Sequence, residues 1–292
     1  MRDITPDNIA GIAVQTWSNT KDERMKYLLE RLVAYVQGYA KETNLKHHEW
    51  LAAMQFLHKC GEVSDDKRSE VMIVSDILGL SSLVELMNTP TEGTNGSVMG
   101  PFYVPDSPKL ARGGDLVKKN AGDAVLISGR VLDKAGRPIK GASLDLWQTD
   151  AKGLYATQDP AQPDDNFRCK LECDDEGRYW FTTVRPGAYT IPMDGPVGDL
   201  FRKTNRSEWR PAHYHFIVRA PGYQELVTEL FPDDDPYLES DAVFGTRGNL
   251  CVPLKPIAAN DSLPSPLERK PTKRIDYDFV LVPAAAMRQA AE

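Results

Sequence analysis

Apolar residues recur with two different periods along this chain, and the change falls near residue 90. Before it, "DERMKYLLERLVAYVQGYAKETN" spaces Met25, Leu28, Leu29, Leu32, Val33, Val36 and Tyr39 three and four residues apart, the stripe of an amphipathic helix. "KHHEWLAAMQFLHKCGEV" and "SDDKRSEVMIVSDILGLSSLVELMN" repeat that period, with Ser64 expected as an N-cap and breaks expected at Gly61 and Gly79. From about Thr89 glycine and proline multiply, and short alternating runs follow: "VLISGRVLD", "ASLDLWQTD", "RCKLECD", "RYWFTTV", "AHYHFIVRA", "ELVTELF" and "RIDYDFVLV". Turn signals such as "KAGRPIKG", "DDEGR", "RPG" and "APGY" separate them. The pattern predicts a mainly β chain, a β-sandwich or barrel over residues 93–292 behind a helical segment over residues 1–92. Those helices are expected to cover one end of the β domain or to form a subunit contact.

At 292 residues the chain has room for one large β domain and an accessory piece. A net charge of -7 argues against broad nucleic-acid binding, which needs a basic face. No apolar run approaches the length of a membrane span, and no secretory leader is recognisable before the first helix. Cys60, Cys169, Cys173 and Cys251 lack paired spacing, so the expectation is a cytoplasmic protein with reduced thiols and no membrane association.

"RPAHYHF" at 210–216 holds two of the five histidines. Strand side chains alternate faces, so His213 and His215 point one way and Tyr214 and Phe216 the other. Two imidazoles about 7 Å apart along a strand can be bridged by one metal ion; the alternative is two unrelated surface histidines. The carboxylate that completes many such sets is missing at Ile217 and Arg219, and His47, His48 and His58 lie in the helical half, with surface or packing roles expected. That leaves a carboxylate, thiolate or phenolate from elsewhere. Cys169 and Cys173 are the soft option, but their spacing spreads them along a strand. Tyr155 and Tyr189 each sit where a turn meets a strand, a place more often filled by an ordinary rim or core aromatic.

Together, "GPFYVPDSP", "GLYATQ", "YTIPMDGPVGDL" and "RPAHYHFIVRAPGY" resemble the intradiol ring-cleaving dioxygenases of the catechol 1,2-dioxygenase type, over nearly the whole chain. The resemblance implies a catalytic β-sandwich with an N-terminal helical linker that joins two subunits as a homodimer and can hold a lipid between them. It implies one Fe(3+) per subunit, held by Tyr155, Tyr189, His213 and His215. Phenolates are hard anionic donors and suit iron(III) better than iron(II). It further implies a catechol-type substrate and O2 as reactants, with Tyr189 leaving the iron to act as a base and Arg210 stabilising negative charge beside the ring. The family usually carries glutamine or histidine where this chain has Glu229, a carboxylate that would either pair with Arg210 or face away.

"IPMDGPVGDL" and "DPYLESDAVFGTRGNL" look most like the hydroxyquinol 1,2-dioxygenases, which open benzene-1,2,4-triol to 3-hydroxy-cis,cis-muconate; catechol and chlorocatechol cleavage are the alternatives. By the matching segments, the ring pocket is expected to contain Ile73, Asp76, Val98, Met99, Gly100, Pro101, Phe102, Ile191, Pro192, Arg210 and Val243. Asp76 there would bond a third ring hydroxyl, and polar pairing discriminates better than apolar fit; otherwise it is a helix-surface aspartate. A non-enzymatic reading also exists, because "VLISGRVLDKAGRPIKGASLDLWQ" is a hairpin pattern shared with transthyretin-like binding sandwiches. Such a module has no reason to keep two tyrosines and the histidine pair in this order.

Overall fold

The computed structural model describes residues 2–65, 68–119 and 122–284. Its helices are α1 (Ile9–Gln15), α2 (Glu23–Glu42), α3 (His47–Glu62), α4 (Glu70–Ile77) and α5 (Leu80–Asn88). Asp22 opens α2 by accepting the Met25 N–H at 2.9 Å, and Ser69 opens α4 by accepting that of Met72 at 3.1 Å. Ser64 does not cap a helix start. Its hydroxyl donates to Cys60 O at the end of α3 (2.7 Å) and accepts the Glu70 N–H (3.0 Å). The chain divides into two compact units, one up to Lys59 and one from Cys60 onward. In the first, α1 packs on α2, and Met25, Leu28, Leu32, Val36 and Tyr39 of the α2 stripe stay exposed.

In the second unit the alternating runs become strands: β1 (Lys109–Leu110), β2 (Ala124–Asp133), β3 (Ser143–Gln148), β4 (Arg168–Glu172), β5 (Arg178–Val184) and β6 (Tyr189–Thr190). After helix α6 (Pro196–Thr204) come β7 (Trp209–Arg210), β8 (Tyr214–Arg219), β9 (Leu226–Pro232), β10 (Cys251–Val252), β11 (Lys255–Pro256), β12 (Lys273–Asp276) and β13 (Phe279–Leu281). "RIDYDFVLV" breaks at Tyr277–Asp278, and both pieces run parallel to β2. One six-stranded sheet has the order β1-β4-β3-β8-β9-β10; a five-stranded one has β11-β12-β2-β13, with β5 also on β2. Parallel and antiparallel pairs mix in both sheets.

One buried cluster draws from both sheets, joining Leu144, Leu146, Tyr214, Phe216 and Val218 to Val125, Ile127, Phe181, Ile275 and Phe279. Burying a side chain of this size stabilises by about 1.5–3 kcal/mol. These residues therefore fix the face of β8, and a one-residue slip would drive His215 into the core. Cys169 and Cys173 belong to the same cluster, and burial pushes the Cys173 thiol up to about 12. Neither thiol is a metal donor here. On the opposite face Trp147, Ile217 and Val227 pack with Phe102, Tyr155 and Tyr189.

Candidate metal and substrate site

β8 lies between β3 and β9, so His215 stands opposite Trp147 on one side and Glu229 on the other. The Trp147 and His215 rings stack at 4.5 Å with 6° between planes, which fixes the imidazole's tilt. His213 precedes β8, and its Nδ1 donates to Pro211 O at 2.7 Å, leaving Nε2 with a lone pair. Tyr155 follows the turn after β3. Asp150 Oδ1 accepts the N–H groups of Lys152 and Leu154, while Asp150 O accepts those of Gly153 and Gly187. Gly153 has φ +85°, and a Cβ there would lie 2.5 Å from Ala188 O. This close crossing sets the Tyr155 turn directly against the segment that carries Tyr189. Tyr189 is in turn the cross-strand partner of Arg210 on the β6–β7 ladder.

These elements bring four donors together. Tyr155 Oη lies 3.0 Å from His215 Nε2, 3.3 Å from His213 Nε2 and 3.5 Å from Tyr189 Oη, and the two Nε2 atoms are 3.1 Å apart. Donors each about 2.0–2.2 Å from one ion in a tetrahedral set stand about 3.3–3.6 Å from one another. Burial pushes His213 down to about 4, helped by Arg210, and burial also lowers His215, so both imidazoles are neutral. Burial raises both phenols, a preference that a cation among them reverses. Two lone pairs aimed at each other, with two phenols beside them, fit a metal ion.

Glu229 and Asp241 hold Arg210 from two sides; for Glu229 this is the first of the two expected alternatives, pairing with Arg210 rather than facing away, whereas Asp241 was not foreseen. Arg210 Nε donates to Asp241 Oδ1 (3.0 Å), Nη1 lies 3.0 Å from Glu229 Oε1, and Nη2 donates to Glu229 Oε2 (3.2 Å). Nη1 also faces His213 Nε2 at 3.2 Å. Burial raises the Glu229 carboxyl, but Arg210 together with His213 and His215 outweighs it and holds the group down at about 2. Asp241 Oδ2 accepts the N–H groups of Gly245 and Thr246, so this acid also shapes the loop that carries Val243. Ser97 Oγ lies 2.5 Å from Glu229 Oε2 and 2.7 Å from Gly245 O. Glu229 was marked in the sequence by its departure from the usual glutamine or histidine and by its place in the largely apolar run "LVTELF"; nothing local marks Asp241.

Ile73, Asp76, Val98, Gly100, Pro101, Phe102, Ile191, Pro192, Arg210 and Val243 line one slot with Tyr189. Met99 does not line it and is 37% exposed. Gly100, at φ +69°, lets the backbone pass where a Cβ would touch His215 Cε1 at 3.4 Å. Asp76 is buried, which raises its carboxyl pKa. The slot's open volume is ≈ 20 Å³, against the ~10–15 Å³ that one water needs, so a ring enters only as lining side chains move. Phe102, Tyr189, Ile191 and Pro192 also line an outer cavity of ≈ 540 Å³ that holds Arg68 and Lys152.

Residues 98–283 match the family model described as "Dioxygenase", and residues 22–96 match "Catechol dioxygenase N terminus". The chain belongs to the intradiol dioxygenase family. It is 38% identical to the 6-chlorohydroxyquinol 1,2-dioxygenase of Cupriavidus pinatubonensis, over 97% of this chain and 99% of that one. An intradiol ring-cleavage dioxygenase of Aspergillus niger is 37% identical over 97% of this chain and 86% of its own length. The solved hydroxyquinol 1,2-dioxygenase of Pseudomonas putida superposes with a TM-score of 0.84 at 40% identity, covering 94% of this chain and 98% of that one. The mixed sheets and N-terminal helices are thus those of an intradiol dioxygenase, and the chain is an enzyme of that class.

Proposed function

We propose that this dioxygenase opens hydroxyquinol between its adjacent hydroxylated carbons, consuming O2 and forming 3-hydroxy-cis,cis-muconate, the enol form of maleylacetate. The convergence of Tyr155, Tyr189, His213 and His215 carries the reading. These four residues would hold Fe(3+), one ion per subunit. When bound, the ion supplies a Lewis acid that takes up the diol oxygens and makes the ring reactive toward O2.

The protein's own groups supply the rest. Tyr189 lines both the slot and the outer cavity, on a short two-residue ladder where its side chain would turn aside as the ring enters. There the Tyr189 phenolate would take the proton of a substrate hydroxyl. Arg210, fixed by Glu229 and Asp241, presents a guanidinium edge to the slot and balances the negative charge left on the substrate. Val98, Phe102, Ile191 and Val243 hold the ring and exclude water. Asp76, the acid on the slot wall, meets a third ring hydroxyl, which favours the triol over catechol or chlorocatechol. The names of the relatives from Cupriavidus pinatubonensis and Pseudomonas putida support the same preference.

The purified enzyme should be red from phenolate-to-iron(III) charge transfer, and oxygen uptake should be faster on hydroxyquinol than on catechol or chlorocatechol. A colourless protein left inactive by added iron would sink the metal reading. Faster turnover of catechol would sink the substrate reading alone.

The remaining assignments belong to the same proposal. Residues 93–292, of which 120–121 and 285–292 lie outside the described residues, would form a β-sandwich, a reading supported by a core cluster shared by both sheets. Residues 1–92 would form a helical linker and dimerisation domain, a reading supported by the family matches at 22–96 and 98–283 and by the exposed apolar stripe of α2, although the compact units divide earlier, after Lys59, and put α4 and α5 in the second unit. A second copy covers that stripe, with a lipid held between subunits. Sedimentation and native mass spectrometry report both. The four free cysteines favour a reducing, cytoplasmic setting, and among the described residues no helix is long and apolar enough to cross a membrane.

A further inference from the structure

Two buried polar atoms in the second unit lack an aligned hydrogen bond and face each other at 3.4 Å: His215 Nδ1 and Glu229 Oε1. They are cross-strand partners on β8 and β9, so the register itself holds them together. Each residue is fully or almost fully buried. Resting on the metal reading above, we propose that Glu229 is a positioning residue for the metal centre: it takes the Nδ1–H of His215, leaves Nε2 as the donor, and ties that imidazole to Arg210.

Ligating histidines commonly donate their second ring N–H to an outer acceptor, which fixes the ring and raises its basicity. The two histidines here have different acceptors. His213 has a neutral one, Pro211 O, whereas His215 has a carboxylate. A carboxylate is the stronger acceptor and adds a negative charge beside the ion. Glu229 Oε1 also lies 3.4 Å from His213 Nε2 and 3.0 Å from Arg210 Nη1, and His213, His215 and Glu229 stand close enough to share an ion; on this proposal Oε1 instead accepts the His215 Nδ1–H, and the ion is left to the histidines and the two tyrosines. Glu229 Oε1 faces the Nδ1 edge of His215 while Tyr155 and His213 face the Nε2 edge, and Glu229 Oε2 is held by Arg210 and Ser97. Each carboxylate oxygen is therefore committed, and the acid couples the group that binds the ion to the group that meets the substrate.

The test is zinc binding to the iron-depleted protein by titration calorimetry. Glu229→Gln keeps the shape and removes the charge, and should weaken zinc about 10- to 100-fold. Asp241→Asn also takes a carboxylate from Arg210 but does not touch His215, and should bind zinc like the wild type. Equal affinity in wild type and Glu229→Gln overturns the proposal, as do equal losses in both variants. Should Glu229→Gln fail to fold, the zinc-loaded wild type decides: the His215 Nδ1–H proton should resonate further downfield than that of His213, and the reverse order overturns the proposal. A wild type that binds no metal would overturn the metal reading and this proposal together. A red wild type with an indifferent Glu229→Gln would overturn this proposal alone.

Discussion

Replacing Asp76 by alanine removes the acid that faces the ring slot while leaving every proposed iron donor in place. Asp76 is 4% exposed, so water would not readily replace the proposed hydrogen bond to a third ring hydroxyl. Hydrogen bonds that involve a charged partner contribute about 1.5–3 kcal/mol, and about 1.4 kcal/mol corresponds to a factor of ten. The ratio of kcat/KM for hydroxyquinol to that for catechol should thus fall about 10- to 150-fold, with catechol turnover and the red colour retained. Asp76→Asn should lose less, because its amide still offers a hydrogen bond. The assay is initial oxygen uptake on both substrates for wild type and both variants. If the two substrates decline in parallel, Asp76 holds up the slot without reading the ring, and the specificity argument fails; an unchanged ratio refutes it as directly.

Three further outcomes follow from the same geometry. Burial raises the Asp76 pKa above its ordinary value of 3.8, so the folded state keeps the proton longer than the unfolded chain and loses stability as pH rises from there through the folded value; Asp76→Asn should therefore gain Tm relative to wild type as pH rises above about 4, and a gap that does not change with pH would contradict this. Tyr155→Phe removes the donor that contacts both Nε2 atoms, so colour and activity should vanish together in absorbance and turnover measurements. Gly153→Ala places a Cβ 2.5 Å from Ala188 O at φ +85°; calorimetry should record a loss of more than about 1 kcal/mol, and iron content should fall because the two tyrosines no longer meet.

The face of His213 and His215 was legible because strand alternation needs no partner strand: Tyr214 and Phe216 do lie in the core. The role of Glu229 was not, since it depends on the β8–β9 register, and register is a property of pairs of segments. Tyr155 and Tyr189 were visible as turn-end aromatics, yet their meeting rests on the Gly153 crossing and the β6–β7 ladder, neither of which leaves a periodic trace. Ser64 misled because Ser69, nearer the α4 start, has the same capping chemistry. The break in "RIDYDFVLV" hides inside one alternating run, because both pieces keep the strand period while pairing at different heights along β2.

Tyr189 and Arg210 share a two-stranded ladder that belongs to neither large sheet. Tyr155 leaves its turn at the end of β3, and His215 is stacked on Trp147 within the six-stranded sheet. The two groups proposed to meet an arriving ring thus sit on a short ladder of their own, apart from the large sheet that holds His215. Changes at residues 190–193 or 206–209, which spare Tyr189 and Arg210, should alter which rings are admitted while leaving the proposed iron donors in place. For an engineer seeking new aromatic substrates, that small ladder is the place to begin, with the large sheet left alone.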